Sequence, residues 1–554
     1  METPKKMAIL HNATEYEGIP AASAIGMALF ESSGMRRLID QRCRFDPEKR
    51  ILSPGMVIKA LIGPTYNIRN KYPLYLVNKA YTAAPTDRLF GPRVSCGDLY
   101  DTALARGLDT LFDCDLEKLF TACSDLAVKT FDLDSHEYHM DSTDISFWGM
   151  EHVPDKEGAA IPKHNGHPKD KRPELLQYEL QLITNSVRII RYMKPYSGNV
   201  SDSVMDRRTL EDMGRIFTPE ELAVSTVVGD CKLATAGNIM KIIDMNLGFV
   251  SKCAENFIGG AKRDAVDISL STRMHSCGKR GLWMSDSDMD VALSEDRTEK
   301  LRFVAFRWDS KVDSKIGKLK EDCAGKAAKL KEMLDGMRFD CISDARECMS
   351  EKWIDPDGPL AVEFRDPLPE YAMHAPEGTI WRLDFDVLIS DKRIRRKAET
   401  DSTVVLVTNL ERPGKGYVHD GNGRAKATDE RILELYSQEY VVEHSFRFMK
   451  SGIGMDSIFL QTPSRENAMM FVVCIAALIT NIADAIFRRT DMRLDGRPLT
   501  MYRLAHELQT TLVTYSRSDN SLRLMGPREA AGRFFGYTDA LRINPQYLLG
   551  YIGD

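Results

Sequence analysis

Two aspartates interrupt segments in the middle of the chain whose residues otherwise favour β-strands. Asp141 stands within YHMDSTDISFWG, and Asp230 follows the run VSTVV. Aspartate is disfavoured in strands and an unpaired buried charge is costly, so an acidic residue at either place needs a reason. Between the two, QYELQLITN and VRIIRYMKPY predict a hairpin that turns at Asn185 and Ser186, and SDSVMDRRTLEDMGRIF predicts a helix. Parallel strands end at one edge of a sheet, where open α/β sheets keep their sites, so we expect Asp141 and Asp230 to lie together.

A third acidic residue belongs to a helix predicted over residues 429–450. Tyr436, Glu443 and Lys450 follow one another at intervals of seven residues. Seven residues are nearly two turns, with a drift of only about 20° per step, so these side chains are predicted to share one face. Arg447 lies beside Glu443 on the next turn. A solvated stripe with ordinary ion pairing would give the same pattern, but together with the two aspartates it indicates a cluster of metal-binding carboxylates.

Three carboxylates at one site suit Mg²⁺ and Mn²⁺, which prefer oxygen ligands. Two such ions about 3.5–4 Å apart activate water or a 3′-hydroxyl and stabilise the leaving oxygen of an in-line phosphoryl displacement. The sequence lacks a Gly-rich Walker loop, a GxSxG elbow and an HExxH motif, so the signatures of common competing enzymes are missing. We therefore predict that Asp141, Asp230 and Glu443 are the catalytic residues and hold two Mg²⁺ ions per active site, with Mn²⁺ as a substitute.

These residues resemble the DDE transposases of bacterial insertion sequences, in the large group named for insertion sequence four. That family carries Tyr-x2-Arg-x3-Glu-x6-Lys on the helix of its last carboxylate, and YSQEYVVEHSFRFMK supplies the tyrosine, glutamate and lysine at those spacings. Glu439 stands at the arginine position. MDSTDISFWG and VVGDCKLATAGNI match the segments around the two aspartates, and other matching segments are HNGHPKDKRPELLQYELQLITN, SGNVSD and PLYLVNKAYTAAPTDRLFGPRV. The resemblance spans roughly residues 70–485.

The resemblance implies a ribonuclease-H-like α/β core that is interrupted before Glu443 by a β-rich insertion. It implies cut-and-paste transposition, in which strand cleavage and strand transfer act on double-stranded DNA at the inverted-repeat ends and the target, through hairpin intermediates. It also implies a homodimer in the synaptic complex. Tyr436 and Lys450 would take the family's phosphate-contacting roles, and Arg447 is the candidate to replace the missing arginine.

The spacing of apolar residues, glycines and prolines divides the chain into five predicted regions. These are a helical N-terminal domain over 1–130 that is a candidate for binding element ends, the first part of the core over 131–245, an inserted mixed or β-rich subdomain over 246–400, the second part of the core over 401–490, and a helical C-terminal region over 491–554. VVLVTNL is predicted to return from the insertion as the fifth strand of the main sheet. MMFVVCIAALI is too short to span a bilayer and is predicted to be a buried helix.

Composition is typical of a folded protein of several domains. The chain has 554 residues and a formal net charge of -6, which counts against a simple DNA-coating protein, since such proteins are usually basic. Its 11 cysteines include no CxxC pair, which predicts reduced thiols in a cytoplasmic protein. The resemblance to bacterial transposases implies that this protein is nucleoid-associated. The N-terminus lacks the apolar segment of a signal peptide.

Two other functions fit the same residues. A catalytically inactive or domesticated descendant would bind DNA without cutting it, a hypothesis that Glu439 at the motif arginine position keeps open. A ribonuclease-H-like nuclease would cut structured nucleic acid without transposing. The densest basic cluster, RIRRKAE over residues 393–399, is interpreted either as a contact to the DNA backbone or as a surface loop without a ligand.

Overall fold

The structure is a computed structural model of the 554-residue chain. It describes residues 8–10, 17–68, 72–147, 160–166, 174–272, 274–276, 279–350, 353–355, 358–370, 379–413, 418–419, 425–438, 440–451, 460 and 462–549. At 8–10, 147, 418, 419, 425, 440, 441, 444, 447 and 451 it describes the backbone alone.

Helices dominate the first and last parts of the chain. They are α1 (Ala21–Ser32), α2 (Met35–Arg42), α3 (Pro54–Ile62), α4 (Thr86–Phe90), α5 (Asp101–Phe112), α6 (Leu116–Phe131), α7 (Asp202–Ile216), α8 (Pro219–Ala223), α9 (Ala236–Asp244), α10 (Ala261–Ser271), α11 (Asp309–Asp335), α12 (Ile342–Met349), α13 (Asp391–Ser402), α14 (Asp429–Ser437), α15 (Tyr440–Ser451), α16 (Pro463–Arg489), α17 (Met501–Glu507), α18 (Arg528–Ala540) and α19 (Gln546–Leu549).

Strands are concentrated in the middle of the chain, with short ones near both termini. They are β1 (Ala8–Leu10), β2 (Glu17–Pro20), β3 (Glu137–Phe147), β4 (Leu176–Asn185), β5 (Ile190–Ser197), β6 (Thr226–Gly229), β7 (Gly248–Lys252), β8 (His275–Ser276), β9 (Leu282–Ser294), β10 (Arg297–Trp308), β11 (Leu360–Glu370), β12 (Ile380–Ile389), β13 (Val404–Thr408), β14 (Val418–His419), β15 (Ala425–Lys426), β16 (Arg493–Leu494), β17 (Arg497–Pro498), β18 (Leu512–Ser516) and β19 (Ser521–Met525).

The chain is a mixed α/β protein that forms two compact units. Unit 1 comprises Met1–Val250, His419–Ala425 and Glu434–Asp554, and unit 2 comprises Ser251–Val418 and Lys426–Leu433. In unit 1 the central strands follow the order β5-β4-β3-β6-β7. The pairs β3–β4 and β4–β5 are antiparallel and β3–β6 is parallel, so the sheet is mixed.

β4 and β5 form the hairpin that the sequence predicts. Leu182 lies opposite Met193 in an antiparallel register. The turn closes at Asn185, whose backbone N–H donates to the carbonyl of Ile189 at 2.9 Å, and Arg188 within it adopts a left-handed φ of 74°. This prediction is confirmed, including the position of the turn.

α16 is the central helix of unit 1. It packs against α1, α3, α5, α6, α15 and β5. Its apolar window of 18 residues would be long enough to cross a membrane by length and composition, but that window is 100% buried inside the protein. The predicted buried helix is confirmed, and the N-terminal helices share one hydrophobic core with it.

Two predictions about strands need correction. The C-terminal region, predicted to be helical, contains β18 and β19, which join β1 and β2 from the opposite terminus in a four-stranded sheet of order β1-β19-β18-β2. VVLVTNL forms a strand of the same sheet as predicted, but the fifth strand in the order is β7; VVLVTNL is β13, which follows β7 in the order and pairs antiparallel with β10. The prediction missed β7 because five residues are too few to show a clear alternating pattern.

Unit 2 is mixed α/β and has a hydrophobic core of its own. Strands β13, β10, β9 and β8 follow one another in that order, and β11 pairs with β12 in a separate two-stranded sheet. α11 packs along α13, and both helices belong to the part of the chain predicted to be an insertion. A small cluster of buried side chains holds α11, α12 and β12 together: Leu334, Ala345, Cys348 and Leu383.

Candidate active site

The parallel pairing of β3 with β6 brings the two predicted aspartates to neighbouring positions. Glu137 lies opposite Thr226 and His139 opposite Val228. Continuing this register by two residues places Asp141 opposite Asp230, and neighbouring strands are only about 4.8 Å apart. Both aspartates are partly buried.

Backbone amides orient both carboxylates. Asp141 Oδ1 accepts a hydrogen bond from the backbone N–H of Ser142 at 2.8 Å. Asp230 Oδ1 accepts one from the backbone N–H of Lys232 at 2.7 Å, the local turn typical of an aspartate just after a strand. Such bonds fix the direction of a short side chain. The two carboxylates are therefore held by local chain geometry at one edge of the sheet.

Asp206 is a further carboxyl group of this cluster, one that the sequence analysis did not single out. It is buried on α7, and Gln181 Nε2 on β4 donates a hydrogen bond to Asp206 Oδ1 at 3.1 Å. Burial and the negative charge of Asp230 raise the pKa of Asp206 to about 8. The Gln181 hydrogen bond lowers this pKa, while repulsion from Asp202 and Asp141 raises it.

The contrast with Asp212 shows why Asp206 is unusual. Asp212, also buried on α7, pairs with Lys194 at 2.8 Å and with Arg215 at 2.9 Å. Within the described residues Asp206 forms no ion pair with a cation, and the charges that act on its pKa are those of other aspartates. The available signal in the sequence was an ionisable residue on the apolar face of α7, whose buried positions are Met205, Asp206, Thr209, Leu210, Asp212 and Met213.

The helix predicted over 429–450 is interrupted, which corrects the single face proposed for its three residues. α14 ends at Ser437 and α15 begins at Tyr440, so Tyr436 and Glu443 belong to different helices. Ser437 Oγ donates to the carbonyl of Glu434 at 2.9 Å within the last turn of α14.

Glu443 and Lys450 remain on one side of α15. The helix packs against β3, β4 and α16 through the buried side chains of Val442, Phe446 and Met449. The two charged residues lie on its flank, separated by about 20° around the helix axis. Glu443 is exposed, and Lys450 is only partly so. Arg447 lies in α15 with its side chain outside the described part, and Glu439 lies outside it altogether.

Lys450 Nζ contacts a buried carboxylate on β3. It lies 3.4 Å from Asp144 Oδ1, and the Asp144 side chain is only 3% exposed. The predicted phosphate-binding lysine is thus tied to the central sheet. The Lys450 side chain is 37% exposed and so remains in contact with solvent.

A second buried ion pair fixes the segment around residue 163 to α16. Lys163 Nζ lies 2.9 Å from Glu466 Oε1, and the two side chains are 6% and 0% exposed. Tyr178 on β4 donates its hydroxyl to Glu466 Oε2 at 2.7 Å. Because Tyr178 is opposite Ile145 of β3, this pair anchors the strands that carry the site.

The structure brings together some of the predicted site residues but not all of them. Asp141, Asp206 and Asp230 interact electrostatically at one edge of the central sheet. In the described part of the chain no three His, Cys, Asp or Glu side chains are close enough to hold a metal ion, so Glu443 does not close a three-carboxylate cluster with the two aspartates there.

Comparison with known proteins gives limited similarities. Residues 24–125 match a family model described as a domain of unknown function (DUF4277). No curated protein matches the chain. The chain is weakly similar to the cryo-EM structure of a piggyBac transposase synaptic complex with hairpin DNA, with 8% sequence identity and a TM-score of 0.37 over 97% of this chain and 86% of that chain. Neither similarity identifies the family to which the whole chain belongs.

Proposed function

We propose that the protein is a metal-dependent DNA transposase of the DDE type, related to the group named for insertion sequence four. The observation that carries the proposal is the parallel register of β3 and β6, which, continued by two residues beyond the pair His139 and Val228, sets Asp141 opposite Asp230. The central strand order β5-β4-β3-β6-β7 supports a ribonuclease-H-like core, in which two such neighbouring strands supply two of the acidic ligands. The ordered motifs of the sequence supply the link to transposition.

Asp141 and Asp230 have the donor chemistry for Mg²⁺, because both present carboxylate oxygens from adjacent backbone positions. Glu443 on α15 is the proposed third ligand, and reaching the other two requires a shift of that helix or of its exposed side chain. The bound metal would supply Lewis acidity to an attacking water or 3′-hydroxyl.

The residues proposed to contact phosphate have a distinct role in this proposal. Lys450, Tyr436 and Arg447 contact phosphates next to the cleaved bond, which positions the DNA without reading its sequence. For Lys450 this requires exchange of the Asp144 carboxylate for a phosphate oxygen. The enzyme would act as a homodimer on two element ends, through hairpin intermediates.

Excision in cells tests the proposal. A marker is placed between the DNA ends that flank the gene, the protein is supplied in trans, and repaired donor molecules are scored. Asp141→Asn, Asp230→Asn and Glu443→Gln are expected to abolish excision, whereas Asp539→Asn, the same chemical change at an exposed position of α18, should leave it intact.

The outcomes separate the competing functions. Excision that survives Glu443→Gln would show that another carboxylate, with Asp206 the nearest candidate, is the third ligand. No excision by well-folded wild-type protein would refute transposition. Mg²⁺-dependent cutting of branched or hairpin DNA would then indicate a nuclease, and DNA binding without cutting would indicate an inactive descendant.

A further inference from the structure

α13 in unit 2 has one apolar face and one strongly basic face. From the sequence, the basic segment over residues 393–399 was interpreted either as a DNA contact or as a surface loop. In the structure it is helical, and the Ser390 side chain caps the helix by accepting a hydrogen bond from the backbone N–H of Arg393 at 3.3 Å. Ile394 and Ala398, one turn apart, are both 0% exposed and face the body of unit 2. Most of the other positions of α13 are exposed, while Glu399 and Ser402 are half-buried.

Five exposed cations occupy the outward face of α13: Lys392, Arg393, Arg395, Arg396 and Lys397. At about 100° per residue they cover an arc of about 200° opposite the buried pair. Glu399 is the one carboxylate within this arc, and it pairs with Arg395 at 3.3 Å. In the described part of the chain Lys392 and Arg396 form no ion pair, so the face keeps a clear excess of positive charge.

The acidic residues at the two ends of α13 are already paired with α11. Lys320 lies 2.8 Å from Asp391 at the first turn, and Lys315 lies 3.3 Å from Asp401 at the last. These pairs show that the two helices run antiparallel. Asp401 also lies 3.8 Å from Lys397 of the basic face, so Lys397 and Arg395 are partly neutralised, and Lys392 and Arg396 carry the excess positive charge. The basic face is therefore fixed in place by packing and ion pairs and is not a mobile tail.

We propose that the outward face of α13 binds the sugar-phosphate backbone of double-stranded DNA without sequence preference. The proposal rests on the proposed function, which supplies DNA as the polyanion. Residues 392–397 span about 8 Å along the helix, which matches two to three phosphates of one strand at about 3.4 Å per step along the duplex. Arginine guanidinium groups suit phosphate because they donate two parallel hydrogen bonds.

A membrane surface fits this helix less well than DNA. A helix that binds in the plane of a bilayer buries an apolar face in it, with large apolar side chains beside the basic ones. The apolar positions of α13 are Ile394 and Ala398, and both are covered by the protein. The exposed face presents positively charged side chains without large apolar ones, and such a face binds the phosphates of a DNA duplex electrostatically.

The experiment measures binding of the full-length protein to a 5′-labelled duplex by fluorescence anisotropy, in EDTA and over a range of KCl concentrations. Lys392→Gln with Arg396→Gln should weaken binding to every duplex by roughly tenfold and reduce the slope of log K against log salt by about 2, since each lost phosphate contact removes about 0.9. The matched control is Lys318→Gln with Lys331→Gln, which removes the same charge from two exposed lysines of α11.

Equal effects of the two double variants, or no effect of the α13 variant, would overturn the proposal. Equal binding to polyglutamate and to the duplex would show that the face recognises acidic polymers in general and would also overturn it. Wild-type protein that binds no duplex refutes both this proposal and DNA transposition. Wild-type protein that binds through α13 but performs no excision leaves the α13 surface standing and refutes the proposed function alone.

Discussion

Replacing Asp206 with asparagine is expected to remove a pH-dependent loss of stability from unit 1. The pKa of Asp206 is about 8 in the folded protein, raised from an ordinary value of 3.8 by burial and by the charge of Asp230. The folded protein therefore holds this proton more tightly than the unfolded chain does. Its stabilising effect is complete below about pH 4 and is lost progressively as the pH rises to about 8.

The size of the effect follows from the span of that window. Each pKa unit corresponds to about 1.36 kcal/mol, so the two units between pH 6 and pH 8 amount to about 3 kcal/mol. Asparagine has nearly the same shape, keeps an oxygen that can accept from Gln181, and carries no charge at any pH. Asp206→Asn should accordingly be more stable than wild type at pH 9 and lose much less stability between pH 6 and pH 9.

The assay is thermal unfolding followed by circular dichroism in EDTA, at pH 6 and pH 9 and at one scan rate. The change in Tm between the two pH values should be smaller in the variant by a few degrees, because about 3 kcal/mol is spread over the large unfolding entropy of a unit of this size. Asp539→Asn on the surface of α18 is the matched control and should follow wild type. Parallel profiles for Asp206→Asn and wild type would refute the reasoning, since they would mean that Asp206 is ionised in the folded protein well below pH 8.

Two further predictions concern the ion pairs that fix the strands of the site. Lys450→Gln should destabilise the protein by about 1–2 kcal/mol, because it removes the 3.4 Å partner of Asp144, and adding Asp144→Asn should restore most of this in a double-mutant cycle followed by urea unfolding. Additive losses in that cycle would show that the two side chains do not interact. Glu466→Gln should cost about 3–5 kcal/mol, because it leaves Lys163 buried without its 2.9 Å partner. The double variant Glu466→Gln with Lys163→Met should lose less free energy of unfolding than Glu466→Gln alone. A loss equal to the sum of the two single losses would contradict this prediction.

Much of the central fold could be predicted because its signals are local. The hairpin of β4 and β5 shows two strand-forming runs separated by turn residues, and α16 shows an apolar run bounded by polar residues. The positions of Asp141 and Asp230 followed from the same patterns, because an acidic residue that interrupts or ends a strand is visible without knowledge of the fold. Each of these features depends on residues close to one another in the chain.

The features that the sequence did not reveal depend on partners far away in the chain. β18 is stabilised by β2, nearly 500 residues earlier, and β19 by β1, so no local pattern marks them as one sheet. The break between α14 and α15 is not visible in the spacing of Tyr436, Glu443 and Lys450, because that spacing fits one continuous helix equally well. Asp206 looks like an ordinary helix residue until β4 and β6 bring Gln181 and Asp230 beside it.

Asp206 and Lys450 together determine the net charge of the aspartate cluster at the site. Within the described residues Asp206 is a buried carboxyl group that forms no ion pair with a cation, and Lys450 pairs with a different buried carboxyl group, that of Asp144. The lysine therefore does not neutralise the aspartate cluster in this structure, and the cluster repels added negative charge at high pH. DNA brings further negative charge to the same edge of the sheet. A cation must accompany it for binding to be favourable, and the carboxylate oxygens of Asp141 and Asp230 are the ligands that a divalent ion would find there.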